Sequence, residues 1–436
     1  MSSSPLRFLA RHPDFARYFT AMIFVNIGSQ IQAVTIAWQI YDIARRTMGV
    51  KESAFLVGMA GLAQFLPLFL LALIGGSLAD RMSRRAIVVG ALAVETVTAV
   101  LLGLFALRGD ETFLPIFASI ALFGAARAFL QPASTAMKPM LVPRAEMPRA
   151  ISISSLSWQF AVILGPWIGG LIIASASSTL AYGIVACLYL TGIVICLAIR
   201  ASTTPVRQAG SALRQIREGL IYVWTNKIIL GAMSLDLFAV LLGSVIALLP
   251  AFAADVLHVG PEGFGLLRSG PALGAALAAF LLVQRPMIRH AGRRMLWAVA
   301  LFGVATLVFA VSRSMVLSVA ALAVLGAADM ISVYVRQTLV QIVTPDHMRG
   351  RVSAVSGLFI SASNELGEFE SGVAARLLGP VGAAIFGGVG TLVVTGLWAR
   401  WFPELRDADR LDGKDRPDEA EAEAQAQAAR PPLAAQ

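Results

Sequence analysis

Twelve apolar runs, each long enough to cross a bilayer as a helix, succeed one another along this chain of 436 residues. They cover residues 18–43, 53–79, 86–107, 112–138, 150–176, 178–199, 228–254, 263–284, 295–312, 315–342, 352–376 and 379–402. A membrane-crossing helix needs roughly 20 such residues. The expectation is an all-α integral membrane protein with twelve transmembrane helices. Composition agrees: 57% of residues are hydrophobic and 14% charged, against about a quarter charged in soluble domains. The net charge of +9 does not argue for nucleic acid, because the basic residues fall between the apolar runs as membrane topology demands. Cys187 and Cys196 share one apolar run and read as packing thiols. His12, His258, His290 and His347 are scattered without metal-ligand spacing. No metal, no cofactor and no enzymatic activity are expected, since no nucleophile motif or phosphate loop is visible.

The basic residues are unevenly placed. Of 35 lysines and arginines, 26 lie in the N-terminal segment, in the loops after even-numbered spans and in the C-terminal tail. Six lie on the other side: Arg45, Arg46, Lys51, Arg108, Arg313 and Arg376. Arg127, Arg268 and Arg336 fall inside spans. Cytoplasmic loops carry the excess of Lys and Arg, so both termini are expected in the cytoplasm of a multi-pass protein of the cell (inner or plasma) membrane. Residues 1–17 form a cytoplasmic N-terminal segment without a cleavable signal's apolar core. Residues 18–199 form one six-helix half and 228–402 the other. Between them, 200–227 is a cytoplasmic connector. There Leu213, Ile216, Leu220 and Val223 recur at helical spacing, as in a helix lying on the membrane surface. The tail 403–436, rich in Asp, Glu, Ala, Gln and Pro, reads as disordered.

The halves read as repeats. Gly124-Ala-Ala-Arg127 matches Gly326-Ala-Ala-Asp329, Pro143 matches Pro345 and Arg149 matches Arg351, all at an offset of 202 residues. Between spans 2 and 3 lies Gly76-Ser-Leu-Ala-Asp80-Arg81-Met-Ser-Arg84-Arg85. Asp80 can bond free N–H groups at a helix start, and the arginines offer forks to carboxylates or lipid phosphates. This string resembles the cytoplasmic loop motif of the Major Facilitator Superfamily, with Ser83 where that family usually has glycine. The resemblance implies two pseudo-symmetric six-helix halves with a polar site between them near the midplane. It also implies a gating loop, with Asp80 docking near the start of span 11 when the protein opens outward.

Span 5 contains Gly165-Pro166-Trp-Ile-Gly169-Gly170, similar to the antiporter motif of drug–proton exporters in that superfamily, with Ala161 in place of a further glycine. It reads as a functional bend or as a packing kink. In span 11, Ser361, Asn364, Glu365, Glu368, Ser371 and Gly372 make one polar stripe. Two carboxylates on neighbouring turns of a membrane helix are costly. They suit proton coupling or the holding of a cation, or they pair with an intramembrane arginine; Arg127 and Arg336 are the candidates. Glu370 points about 140° away from Glu365. Asp236 lies within span 7, and Asp329 and Arg336 share a face of span 10. Arg127 stands where drug exporters carry a span-4 arginine, but the following residues depart from that pattern, so a structural pair and a proton relay both stay open. Arg268 reads as a snorkelling residue near the end of span 8. Asn26 and Gln30 share a face of span 1, for substrate or for a neighbouring helix, and Glu95 in span 3 is likewise open.

Residues 344–353, 364–372 and 26–32 are similar to the enterobactin-exporter-like branch of the superfamily. The resemblance spans about 10–405 and implies secondary active, proton-driven export of a small amphipathic, drug- or siderophore-like molecule by a monomer in the bilayer. A facilitator or importer, and a non-transporting membrane sensor or lipid-handling protein, are the competing readings.

Overall fold

The computed structural model describes residues 5–109, 112–204, 212–285 and 290–408. Among the described residues the regular structure is helical. The spanning helices are α1 (Pro13–Thr47), α2 (Val50–Ala79), α3 (Arg84–Arg108), α4 (Phe113–Met137), α5 (Met147–Ser175), α6 (Ser178–Leu197), α7 (Lys227–Gly243), α8 (Pro261–Gln284), α9 (Ala291–Val311) and α10 (Met315–Val343). The chain closes with α11 (346–378) and α12 (380–401). These last two run on without a loop. Only Gly379, with φ 80° and ψ 165°, separates them. That conformation is open to glycine because it lacks a Cβ, and Pro380 then starts α12 with its ring preset for a helix. Among the described residues, eleven stretches are long and apolar enough to span a membrane, and the last of them takes in both α11 and α12. The sequence-derived count of twelve therefore holds.

Span 7 departs from the expected continuous 228–254. Its helix ends at Gly243, Ser244 is extended (φ −63°, ψ 130°), and the chain restarts through short turns at Ile246–Leu248 and Phe252–Val256. Pro250 supplies no amide for the ladder. A broken helix is tolerated at membrane depth where it lines a cavity, and Ser244 and Ile246 do so.

The two halves repeat their packing. Gly124 on α4 seats against the Gln64 carbonyl of α2, and Gly326 on α10 seats against the Pro271 carbonyl of α8. A side chain at either glycine would overlap backbone, so the 202-residue match marks equivalent helix crossings. The connector helix Ala212–Thr225 does more than lie on a surface. Val223 is fully buried, Gly219 abuts the Arg351 carbonyl, and Glu218 pairs with Arg351 at 2.8 Å. The side chains of Leu213 and Ile216 lie outside the described residues, as do 205–211 and the tail from 409 onward.

The halves meet most closely at the end opposite the termini. Tyr41 donates to Asp255, Arg45 pairs with Asp255 at 3.0 Å, and Lys51 donates to the Leu377 carbonyl at 3.2 Å. Arg376 stacks over Phe55 at 4.9 Å, and Trp38 stacks on Phe264 at 5.9 Å. On the α2–α11 seam, a Cβ at Gly58 would lie 2.7 Å from the Gly372 Cα. Gly58→Val is expected to wedge this end apart. With Cys187 and Cys196 replaced and spin labels at the exposed Met48 and His258, the inter-label distance should lengthen relative to the parent; an unchanged distance would show that Gly58 does not permit the closure.

Candidate transport cavity

A cavity of about 380 Å³ lies between the halves, lined by Gln30, Gln159, Arg268, Asp329, Asn364 and Glu368 among others. It branches into two charged clusters. In the first, Glu365 and Glu368 of α11 face Arg127 of α4 and Arg268 of α8. Three-residue spacing puts both carboxylates on one helix face. Glu365 accepts a hydrogen bond from Gln64 Nε2 at 2.9 Å. The fields of Arg127 and Arg268 reach Glu365, and that of Arg268 reaches Glu368. Neither carboxylate forms an ion pair within 4.0 Å among the described residues, so the charges act through the cavity and not by direct contact. Glu368 can sit at the seam because Gly61 of α2 leaves room: a Cβ there would come within 3.0 Å of the Glu368 Cβ.

The second cluster belongs to the second half. Arg336 Nη2 pairs with Asp236 at 3.1 Å, with both side chains buried, and Asp329 and Asn364 complete the lining. Arg336 is thus committed to Asp236 and is not the cation opposite the glutamates. That place is taken by Arg268, which a sequence reading treats as a snorkelling residue. Arg268 lies only seven residues after Pro261, which suggests the membrane edge; the position of the cavity relative to that edge comes from packing between helices. Gln64 and the Ser244 break also lack a sequence signal, since each sits in an otherwise apolar run.

Asn26 and Gln30 line the same cavity at different levels. Gln30 is central, and Asn26 lies in a vestibule toward the termini with Tyr18, Lys138 and Trp158. Glu95 is 1% exposed, its Oε2 has no hydrogen-bond partner, and the field of Arg127 reaches it. Arg127 therefore acts on Glu95 as well as on Glu365. Glu370 is half-buried and outside the described cavity linings.

In the Gly-Pro string of α5, Gly165 and Gly169 admit Gln30 and Ile31 of α1, and Gly170 meets Gly265 of α8. The Ser269 hydroxyl donates to the Ile163 carbonyl at 2.7 Å and Gln159 to the Ala272 carbonyl at 3.0 Å. Pro166 lies inside a continuous helix, and the glycines around it bring that helix close to both halves.

The loop 76–85 is held by its own half, and the docking of Asp80 expected near the start of span 11 belongs to a conformation opened outward. Asp80 is exposed, ends α2 and caps no helix start; its side chain has no partner among the described residues. Arg81 is exposed as well. A Cβ at Gly76 would meet nothing within 4 Å. Arg84 donates to the Ala136 carbonyl at 2.5 Å and Arg85 to the Ile199 carbonyl. Both arginines thus neutralise carbonyls at the ends of α4 and α6, where a cation is favoured, and tie the loop to its own half.

Twelve helices in two repeats around a central charged cavity define a membrane transporter of the Major Facilitator type, a class with no enzymatic chemistry. The sequence profile of one branch of that superfamily, described as transmembrane secretion effector, matches residues 3–434, and the chain belongs to that family. It is 26% identical over 401 residues to the enterobactin exporter EntS of Citrobacter koseri, covering 92% of this chain and 94% of that one. The Escherichia coli exporter of the same name is 25% identical over the same length. Among solved structures, a POT family transporter in complex with 5-aminolevulinic acid superposes with a TM-score of 0.70 at 12% identity, covering 90% of this chain and 96% of that one. A bacterial homologue of the lysosomal transporter Spinster, inward-facing and unoccupied, gives 0.69 at 15% identity, covering 90% and 97%.

Proposed function

We propose that this protein exports a small amphipathic molecule, drug- or siderophore-like, in exchange for protons, by alternating access of the halves 18–199 and 228–402 around the central cavity. The observation that carries the reading is the Glu365–Glu368 pair, set on the cavity wall at the seam between the halves and opposed by Arg127 and Arg268. Carboxylates so placed exchange protons with the cavity water and sense which way it opens. Export as the direction follows from the enterobactin exporters to which the chain is similar. Both termini, the connector 200–227 and the tail 403–436 are cytoplasmic in this scheme, and the protein works as a monomer in the cell membrane. The described conformation then faces inward: it is sealed at Asp255 and Gly58 and reaches the terminal side through the Asn26 vestibule. Asp236, Asp329 and Arg336 set the charge of the second half, Asn26, Gln30 and Asn364 contact the cargo, and Asp80, Arg81, Arg84 and Arg85 bias the conformational equilibrium.

Proteoliposomes challenged with a compound panel, with and without an imposed pH gradient, test the function. Accumulation that requires the gradient is expected for at least one amphipathic compound. Equilibration unaffected by the gradient for every transported compound would favour a facilitator. Reporter fusions at Gly210 and after Arg406 should both read cytoplasm; a periplasmic signal from either would contradict the orientation.

A further inference from the structure

The described carboxylates of the cavity wall come from one half, whereas its basic residues come from both, with Arg268 and Arg336 in the second. Glu365, Glu368 and Asp329 come from the second half, whereas the described lining of the first half includes Arg127 and Lys138 and no carboxylate. Lys138 directly follows α4 and is half-buried in the vestibule of about 360 Å³ toward the termini. Among the described residues its ammonium has no ion pair or hydrogen bond, and no carboxylate acts on it. A partly buried ammonium without a counter-charge is costly. Ser154 and Ser157 line the same vestibule, and their hydroxyls are buried without a partner among the described residues; Ser157 is 3% exposed. Helical serines ordinarily return the hydroxyl to a carbonyl four residues back. Ser152 and Ser155 on the same helix do so, at 3.0 Å each. Ser154 and Ser157 do not. Beside them the Trp158 ring is 45% exposed, and with Gln159 it lines both the vestibule and the central cavity.

We propose that the vestibule is an anion-binding entry subsite, in which the Lys138 ammonium and the Ser154 and Ser157 hydroxyls take the carboxylate or phosphate of an amphipathic molecule whose aromatic or apolar body lies on Trp158. The subsite rests on the reading of the cavity as a transport path, and it divides the labour: the first half holds the cargo's anion while the second half carries the proton sites. An acceptor bearing negative charge supplies what all three groups lack, and its apolar body covers the exposed ring. The anion is either the cargo's own or the headgroup of an anionic lipid.

The test uses the full chain in phosphatidylcholine nanodiscs, with 2-naphthoate and its uncharged methyl ester as probes and calorimetric Kd as readout. For the cargo arm, Lys138→Gln and the Ser154→Ala, Ser157→Ala pair should each weaken naphthoate about tenfold. The ester should be unaffected, and Lys138→Arg should bind as the parent does. In the lipid arm, phosphatidylglycerol is added to the nanodiscs and retained lipid is counted by native mass spectrometry. Phosphatidylglycerol held by the parent and lost in Lys138→Gln, with naphthoate binding unchanged, assigns the subsite to the headgroup. Equal weakening of naphthoate and ester overturns the proposal, as does the absence of any Lys138 dependence in both arms, including a parent that holds neither ligand. Because binding is read without a gradient, such a failure beside intact pH-driven efflux removes the subsite alone. Loss of pH dependence beside intact Lys138-dependent binding removes the proton coupling instead.

Discussion

Arg336→Leu is expected to destabilise the protein by about 3–5 kcal/mol, the range found when one partner of a buried ion pair is removed. Arg336 is the largest fully buried side chain among the described residues, and Asp236 beside it is 6% exposed. Its guanidinium pairs with Asp236 at 3.1 Å, and its field also reaches Asp329. Without it two carboxylates face each other in a low-dielectric interior with no cation. They can take up protons, which offsets part of the loss, but the space and the lost ion pair remain. The Asp236→Asn, Arg336→Leu double variant removes the like-charge conflict and should recover much of the stability. Thermal unfolding in detergent checks both: the single variant should melt several degrees below the parent and the double variant between them. An unshifted midpoint in Arg336→Leu would mean that the pair contributes nothing measurable to the fold.

Much of the architecture was legible because its cause is local. Twelve apolar runs depend only on nearby residues, and the repeat at Gly124 and Gly326 survives as a fixed offset. The carboxylate stripe on α11 was legible for the same reason: charge inside a bilayer-length run is conspicuous, and helical periodicity places Glu365 and Glu368 together. Partners across the cavity were not legible. Arg336 and Arg268 look alike in the chain, each a single arginine in an apolar run. Only the placing of α7 beside α10, and of α8 across the cavity from α11, decides that Arg336 meets Asp236 while Arg268 faces Glu368. The break at Ser244 was hidden because Gly243, Ser244 and Pro250 are weak signals inside an apolar run, and helix breaks at membrane depth depend on what the neighbours can satisfy. The loop 76–85 shows the converse. Its residues match a family string, yet what they hold, the carbonyls of Ala136 and Ile199, comes from the ends of helices far along the chain.

Glu365→Gln is expected to abolish pH-driven accumulation while leaving cargo binding and passive exchange largely intact. The substitution keeps size and hydrogen-bonding capacity, so the bond from Gln64 can persist, but the residue can neither gain nor lose a proton. Glu365 and Glu368 sit one turn apart opposite Arg127 and Arg268, and each carboxylate senses the charge of the other. Binding a proton at one therefore alters the field at the pair, at Arg268 and at the α2–α11 seam where Gly61 touches Glu368. In the proposed exchange that seam opens with the far end, and protonation of the pair then biases the conformational equilibrium. Glu370→Gln should matter less, because Glu370 is outside the described cavity linings.

The most direct test of this coupling is gradient-driven transport and counterflow, measured side by side in liposomes for the Glu365→Gln, Glu368→Gln double variant, with a compound the parent accumulates. The account predicts accumulation at the level of protein-free liposomes together with counterflow close to that of the parent. Gradient-driven accumulation equal to the parent's would remove this pair from the mechanism and leave Asp236 or Asp329 as the proton site.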